Sequence, residues 1–526
     1  MNVHMMKPHK KTAAFVLLMI FLFTAVSFTS AEFNIPETIK VGLYYNDSSH
    51  SNTAVASFSI SAKDGLAIGF FEDNKFTEIY NEEKDSSLTV SRDNSVSIVL
   101  DGKSSDLDEV NDKIKAFKKK GIEAYPVYDD SWQVWSGLFA DEGTARQQLE
   151  NIQEELGEGE GDIAKAKANR IAVLDASGKP LSVFGSDTAY FRIKPLPEND
   201  PEVLSINGKQ YRGSIEVRRL TGSDMTVINV VKLEEYLYGN VPPEIGGNSA
   251  PEALKAQAMA SKMYAINNIG KHKKTGFDVC ATTHCQVYRG YSAEIPSANK
   301  AIDETEGKVI TYEGKLATQI FYFASSAGRT EDAVNVWGYP YPYLKSVEDK
   351  YEPIYTWTKT LSASDVKAKI PDIGNVLGMS ILKTSEAGRV TQLAVRGDSR
   401  DDPALYNLER SRTVFSLDSQ LYTITTDADV YIASASGDTL KAQLGGKKAA
   451  TVNGTKTISP SGKKVYVLGA DGKTKAIPLV PETYTFSGKG WGHAVGMSQE
   501  GARAMGKAGI KFDDIITHYF PGTEVE

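Results

Sequence analysis

The stretch Val241-Pro242-Pro243-Glu244-Ile245-Gly246-Gly247-Asn248-Ser249-Ala250-Pro251-Glu252-Ala253 decides the fold class. Its second half opens a helix. Ser249 and Glu252 have capping-box spacing, and Pro251 suits a first helical turn. Ala250, Ala253, Ala256, Ala258, Ala260 and Ala265 favour helix through about residue 269. Immediately upstream, Leu181 to Val231 reads as strands, with Asn207-Gly208 as a hairpin turn. A single long helix set into strand-rich sequence predicts an α+β fold: a mostly β domain with a capped helix beside its site.

Outward from that stretch the pattern changes several times. Residues 37–104 alternate apolar and polar, as in Ile39 to Leu43 and Ser95 to Leu100, with turns expected at Asn46-Asp47 and Asp101-Gly102. Residues 106–176 read as a small inserted α/β unit. Val110, Ile114 and Phe117 lie at helical spacing, two strands follow at Ala124–Val127 and Gln133–Phe139, and a second helix at Glu142–Leu156 aligns Ala145, Leu149, Ile152 and Leu156. Residues 308–350 look strand-rich. Residues 424–480, rich in Thr, Lys, Gly and Val with turns at Asn453-Gly454 and Asp471-Gly472, read as an extra β module, and a last helix is expected near 498–507. No internal repeat is evident.

The 526 residues allow several domains' worth of chain. With 41% hydrophobic and 24% charged residues the composition is globular. The net charge of −8 argues against a general nucleic-acid binder, whose affinity rests on cationic contacts to phosphate. One long apolar run, Ala13 to Phe28, follows Lys7, Lys10 and Lys11 and ends in the small residues Thr29-Ser30-Ala31. Residues 1–31 thus read as a secretory signal peptide, with a retained membrane anchor as the rival reading; both put the rest of the chain outside the cytoplasm. Three lysines and no acids leave with that segment, so the remainder carries −11.

Four segments carry candidate chemistry. Glu244 sits between two prolines and two glycines, a stiff entry and an open exit; a carboxyl at such a cleft mouth can be tuned by partial burial to act as a general acid. The rival reading is a solvated acid near a helix N-terminus. His272, Cys280, His284 and Cys285 include the only cysteines in the chain. They could hold a tetrahedral zinc, with a Cys280–Cys285 disulfide or two free thiols as alternatives. Tyr322, Ser325, Ser326, Thr330 and Trp337, followed by Tyr339, Tyr341 and Tyr343, offer hydroxyls and rings suited to a sugar-binding groove, or else a core strand with an aromatic turn. The segment from Gly488 through His493, Ser498 and Gln499 is Gly-rich enough to bring backbone close to a ligand, or to make a structural turn. It lacks the Lys-Ser/Thr of a P-loop.

Together these segments are recognisable. Val227 to Gly239, Val241-Pro-Pro-Glu244, Pro251 to Ala258, the Cys280-Ala-Thr-Thr-His-Cys-Gln-Val-Tyr288 block, the Ser-rich block with Trp337-Gly338, and the final Gly-Trp-Gly-His and Gly-Met-Ser-Gln runs occur in one order. In that order they resemble the stage II sporulation protein D and amidase-enhancer family. The resemblance covers 180–420 and 480–526 as a catalytic domain, with 37–104 as its N-terminal strands. Residues 106–176 resemble a sporulation-related repeat domain that binds peptidoglycan glycan strands.

The resemblance implies a lytic transglycosylase that cleaves the bond between N-acetylmuramic acid and N-acetylglucosamine in peptide-stripped strands, with Glu244 as catalytic acid. It implies substrate contacts from Tyr322, Ser325, Ser326, Thr330, Trp337, His493, Ser498 and Gln499, and structural zinc on His272, Cys280, His284 and Cys285. The alternative it carries is a non-catalytic wall-binding enhancer of a cell-wall amidase. Where the family usually shows His-Gly-Val-Gly-Met-Ser-Gln-Tyr, this chain has Ala494 and Glu500, an added Cβ and an added charge.

Overall fold

Val227, Ile228 and Val231 are fully buried because their strand, Met225–Lys232, lies inside a seven-stranded sheet. The strand order is Val279–Cys280, Thr38–Tyr44, Met225–Lys232, Ser214–Arg219, Tyr190–Pro195, Leu66–Glu72 and Lys75–Glu82. All neighbours are antiparallel except the first pair, in which Val279–Cys280 runs parallel to Thr38–Tyr44. The cysteine block is thereby fixed to a sheet edge. The computed structural model describes Phe33 and residues 35–526 apart from 50–51, 74, 83–86, 158–159, 197–200, 220–222, 434–435, 460–462 and 469–471. The signal-or-anchor segment 1–31 lies outside the described residues. Among the described residues no helix is long and apolar enough to cross a membrane.

A second sheet of ten strands joins parts that read separately in the sequence. Tyr125–Asp129, Trp132–Phe139 and Asp162–Ala164 of the inserted α/β unit continue it, entering through a parallel pair between Val127 and Val183, and Val96–Ser104 of the N-terminal strands lies among them. The Leu107–Lys119 helix packs Val110 and Ile114 against Ile98, Val134 and Leu156. The expected second helix is broken at Ile152 into Glu142–Asn151 and Gln153–Leu156. The Asn207-Gly208 hairpin forms as read: Ile206 pairs with Lys209, and both turn residues have positive φ, 47° and 79°. The turn expected at Asp101-Gly102 does not form. Val96–Ser104 runs through it, and shifts in pairing against Trp132–Phe139 absorb the irregularity.

The helix anticipated after Ser249 spans Pro251–Asn267 and is buried almost all round, a pattern of core rather than surface helices. Its alanines admit close neighbours: a Cβ on Gly506, in the Gln499–Lys507 helix, would lie 2.9 Å from the Ala253 nitrogen. The expected capping box is absent. Ala250 is the N-cap, the Ser249 hydroxyl donates to the Ile245 carbonyl at 3.0 Å, and Glu252 accepts from the Phe512 amide at 2.9 Å. The π-type turn Pro242–Gly246 just upstream takes the serine, and the C-terminal Phe512–Tyr519 helix takes the glutamate.

Residues 308–350 are mostly irregular rather than strand-rich. Ile310–Tyr312, Lys315–Leu316 and Tyr322–Phe323 are very short, and Ala333–Trp337 is a helical turn. Buried side chains replace a ladder there. Arg389 donates to the Ser326 and Arg329 carbonyls at 2.6 and 2.8 Å, and the Asp332 amide bonds to Glu331 at 2.9 Å. Thr356–Ser362, Thr483–Lys489 and Tyr422–Thr426 form a further sheet packed through Trp357, Tyr422, Tyr484 and Phe486. Between its last two strands run three hairpins: Asp429–Ala433 with Thr439–Gln443, Lys448–Thr451 with Gly454–Thr457, and Lys464–Leu468 with Thr474–Pro478. In the middle one Thr451 pairs with Gly454, so Val452-Asn453 make the turn and Gly454 starts the next strand. Asp471 of the other expected turn lies outside the described residues.

Candidate active site

Two prolines start the wide turn Pro242–Gly246 and deliver Glu244 between the Leu233–Val241 and Pro251–Asn267 helices. Extra-wide helical turns recur at functional positions because they re-aim one side chain. The Glu244 carboxyl is partly buried, and Oε1 accepts the Val287 amide at 2.7 Å. Burial raises its pKa above the ordinary carboxylate range; the Val287 amide and the Tyr322 and Gln499 side chains oppose that rise without cancelling it. None of these influences is a neighbouring charge, so its surroundings favour the acid form, and among the described residues no cation pairs with it.

Around Glu244 the polar groups form one connected set. Gln286, buried, donates to the Tyr322 hydroxyl at 3.0 Å and accepts from Tyr236 at 2.9 Å. Gln499 donates to the Glu244 carbonyl at 3.1 Å and to Gln257 at 3.4 Å, and Gln257 donates to Ser261 at 3.1 Å. The pairing of Tyr322–Phe323 with Met497–Ser498 brings Tyr322 and Gln499, far apart in sequence, to the same carboxyl. Tyr236, Gln257, Gln286 and the Val287 amide were not read from the sequence. Gln286 and Val287 lie in the quoted cysteine block, but a backbone donor leaves no signature in residue type.

The hydrogen bonds of the other predicted sugar-binding residues run to partners other than Glu244. Ser325 and Ser326 are buried and donate to Glu352 and Asp349 at 3.1 and 3.2 Å. Thr330, fully buried, accepts the Val347 amide at 2.8 Å. Ser498 is fully buried, bonds Glu352 and caps the Gln499–Lys507 helix through the Gly501 amide at 3.1 Å. These four hydroxyls are engaged internally and brace the irregular segment. Trp337 donates to Glu409 at 3.1 Å and packs on His493, with ring centroids 5.1 Å apart. His493 accepts the Val495 amide on Nδ1 at 3.0 Å, and burial lowers its pKa to about 4. Tyr343 is buried, whereas Tyr339 is exposed.

The two departures in the terminal segment resolve differently. Glu500 pairs with Arg503 at 2.8 Å on the helix surface. Ala494 is buried with φ of 67°, a region costly for any residue with a Cβ. Ala494→Gly is expected to stabilise the protein by roughly 1 kcal/mol, read as a higher urea midpoint with an unchanged slope. A lower midpoint would contradict the strain argument.

His272, Cys280, His284 and Cys285 converge, with one ligand atom from each lying within 4.8 Å of all the others. His272 Nε2 is 3.3 Å from the Cys285 sulfur, and His284 Nδ1 is 3.6 and 3.7 Å from the two sulfurs. Tetrahedral zinc with N and S ligands has ligand–ligand edges of roughly 3.3–3.8 Å, so the donor set and spacing fit that ion. Both cysteines are free thiols, without the alternative disulfide.

Residues 221–312 match the family model described as Stage II sporulation protein. The matched stretch holds Glu244, Tyr236, Gln257, Gln286, the Val287 amide and the four converging residues His272, Cys280, His284 and Cys285. Tyr322 and Gln499 come from outside it, so the carboxyl's surroundings are completed by later parts of the chain. Over 344 residues the chain is 32% identical to the amidase enhancer of Bacillus subtilis, covering 63% of this chain and 46% of that protein. It is 29% identical to stage II sporulation protein D of the same organism over 313 residues, covering 56% and 74% respectively. The stage II sporulation protein D of Bacillus amyloliquefaciens is 28% identical over 316 residues, with the same coverage. The chain thus spans about half the length of the amidase enhancer.

Proposed function

We propose that the chain acts on bacterial cell-wall peptidoglycan, cleaving peptide-free glycan strands as a lytic transglycosylase with Glu244 as its acid. The observation that carries this is the Glu244 carboxyl, raised in pKa by burial, oriented by the Val287 amide and, among the described residues, paired with no cation. Protonated Glu244 donates to the oxygen linking N-acetylmuramic acid to N-acetylglucosamine, and that C–O bond breaks as positive charge develops at C1. The resulting carboxylate takes the proton from the muramic 6-hydroxyl. That oxygen closes onto C1, leaving a 1,6-anhydro end and the carboxyl protonated again. One carboxylate suffices, whereas most glycosidases use two.

The pH dependence follows from the acid role. Cleavage declines as pH rises through the raised Glu244 pKa, because the proton donor is lost. Tyr322 hydrogen-bonds the carboxyl and favours its charged form. Tyr322→Phe is therefore expected to move the falling limb of the pH–rate profile to higher pH. A limb that stayed or moved to lower pH would contradict the assignment.

His272, Cys280, His284 and Cys285 would hold zinc in a structural role, since four protein ligands close its coordination shell. The expected setting is extracytoplasmic, consistent with the basic and apolar segment at 7–31 and with the names of the relatives.

A second reading is a non-catalytic enhancer of an N-acetylmuramoyl-L-alanine amidase. The relative named amidase enhancer favours it, and more directly than any relative's name favours strand cleavage. Two assays separate the readings. Shortened strands from peptide-free glycan and purified chain alone support the first. Faster stem-peptide release by an added amidase, with strands left intact, supports the second.

A further inference from the structure

Trp491 is held rigidly and yet half its surface is in solvent. Its amide donates to the Ser325 carbonyl at 2.9 Å and its carbonyl accepts the Ser325 amide at 3.0 Å. The flanking glycines make that register attainable. Gly490 and Gly492 have φ of 79° and 103°, and a Cβ on Gly490 would stand 2.8 Å from the Ser325 carbonyl oxygen. Gly490 also donates to the Tyr355 carbonyl, and Gly492 to that of Asp418, each at 2.8 Å. The backbone on both sides of Trp491 is fixed by four hydrogen bonds, so the ring is presented rather than dangling.

The presented ring is 52% exposed and lies beside Tyr355, 39% exposed, with centroids 5.5 Å apart and planes 36° from parallel. Tyr355 is tied by its hydroxyl to Asp418 at 3.3 Å. Ile354, on the same segment, is 57% exposed. A large apolar ring left in water by a framework built to hold it there forgoes the burial that stabilises other aromatics. Two rings with a carboxylate at their edge suit a pyranose, whose C–H face stacks on aromatics while its hydroxyls donate to an acid. The Asp418 carboxylate beside the rings disfavours a carboxylate-bearing sugar in direct contact with them and favours a neutral one.

Position links the pair to the Glu244 site. Ser325, which bridges Trp491, is three residues from Tyr322, whose hydroxyl shares the network around Glu244. Three residues of chain span at most about 11 Å. We infer that Trp491 and Tyr355 form a stacking platform for an uncharged N-acetylglucosamine unit of the strand, beyond the units at the scissile bond. The inference rests on the glycan-strand reading of the Glu244 site.

The test is the affinity of the full chain for peptide-free glycan strands, measured in a Glu244→Gln background so that the strand is not consumed. Adding Trp491→Ala is expected to weaken binding about tenfold, and adding Trp491→Phe about twofold or less. Titrating strands into the Glu244→Gln chain is expected to change tryptophan fluorescence, and most of that change should vanish with Trp491→Phe. The fluorescence arm does not depend on an alanine variant keeping its fold. Unchanged affinity with Trp491→Ala, or an undiminished fluorescence change with Trp491→Phe, overturns the platform. Cleavage by the Glu244→Gln chain would instead end the acid assignment and leave the platform standing.

Discussion

Glu244→Gln is expected to lower the rate of strand cleavage by roughly 10²–10⁴, the range spanned by loss of a positioned acid–base group. The amide keeps the shape of the carboxyl and can still accept the Val287 amide, but it has no proton to give to the departing oxygen and no charge to take one from the 6-hydroxyl. In the proposed mechanism one carboxyl makes both transfers, so no second acid is expected to rescue the variant. Strand affinity should change little, since the substitution removes chemistry rather than contact area. A variant that cleaved at the normal rate would remove Glu244 from the reaction. One that neither bound nor folded would be told apart by its unfolding transition.

Zinc should matter almost as much, through position rather than chemistry. Cys285 precedes by two residues the amide of Val287 that fixes Glu244, and Cys280 lies on the edge strand Val279–Cys280. A metal closing this loop against His272 would hold the 280–288 segment, and with it the donor to the Glu244 carboxyl. Protein purified without chelator is expected to carry about one zinc per chain. At a thousandfold excess over its dissociation constant the ion would stabilise the fold by about 4 kcal/mol, seen as a Tm several degrees lower after chelation. Cleavage should fall with chelation and return with zinc. Cys285→Ser should reproduce the loss without recovery. Absence of zinc together with a Cys280–Cys285 disulfide would contradict this account.

The sequence made some of this legible and hid the rest for physical reasons. Local signals worked where local forces decide: the Asn207-Gly208 turn, the strands around Val227–Val231, and the alanine-rich helix Pro251–Asn267. They failed where a partner outside the expected motif claimed the side chain. Ser249 and Glu252 have capping spacing, yet Ile245 and Phe512 take them. Ser325, Ser326 and Ser498 look like sugar-binding hydroxyls beside glycines, yet the buried carboxylates of Glu352 and Asp349 draw them inward. The irregular backbone of 308–350 is held by buried charges such as Arg389 and Glu331, a long-range arrangement that periodicity cannot report. For Glu244 the residue was legible from its prolines and glycines. Its surroundings, made by a backbone amide and by tyrosine and glutamine side chains from distant segments, were not.

The central claim is that a carboxylate closes the muramic acid ring without water. It is tested most directly by digesting peptide-free glycan strands in water enriched in oxygen-18 and weighing the new ends. The account predicts 1,6-anhydro ends that carry no heavy oxygen, formed by the wild-type chain and not by Glu244→Gln. Reducing ends labelled with oxygen-18 would show that water attacks C1, and ring closure would be wrong.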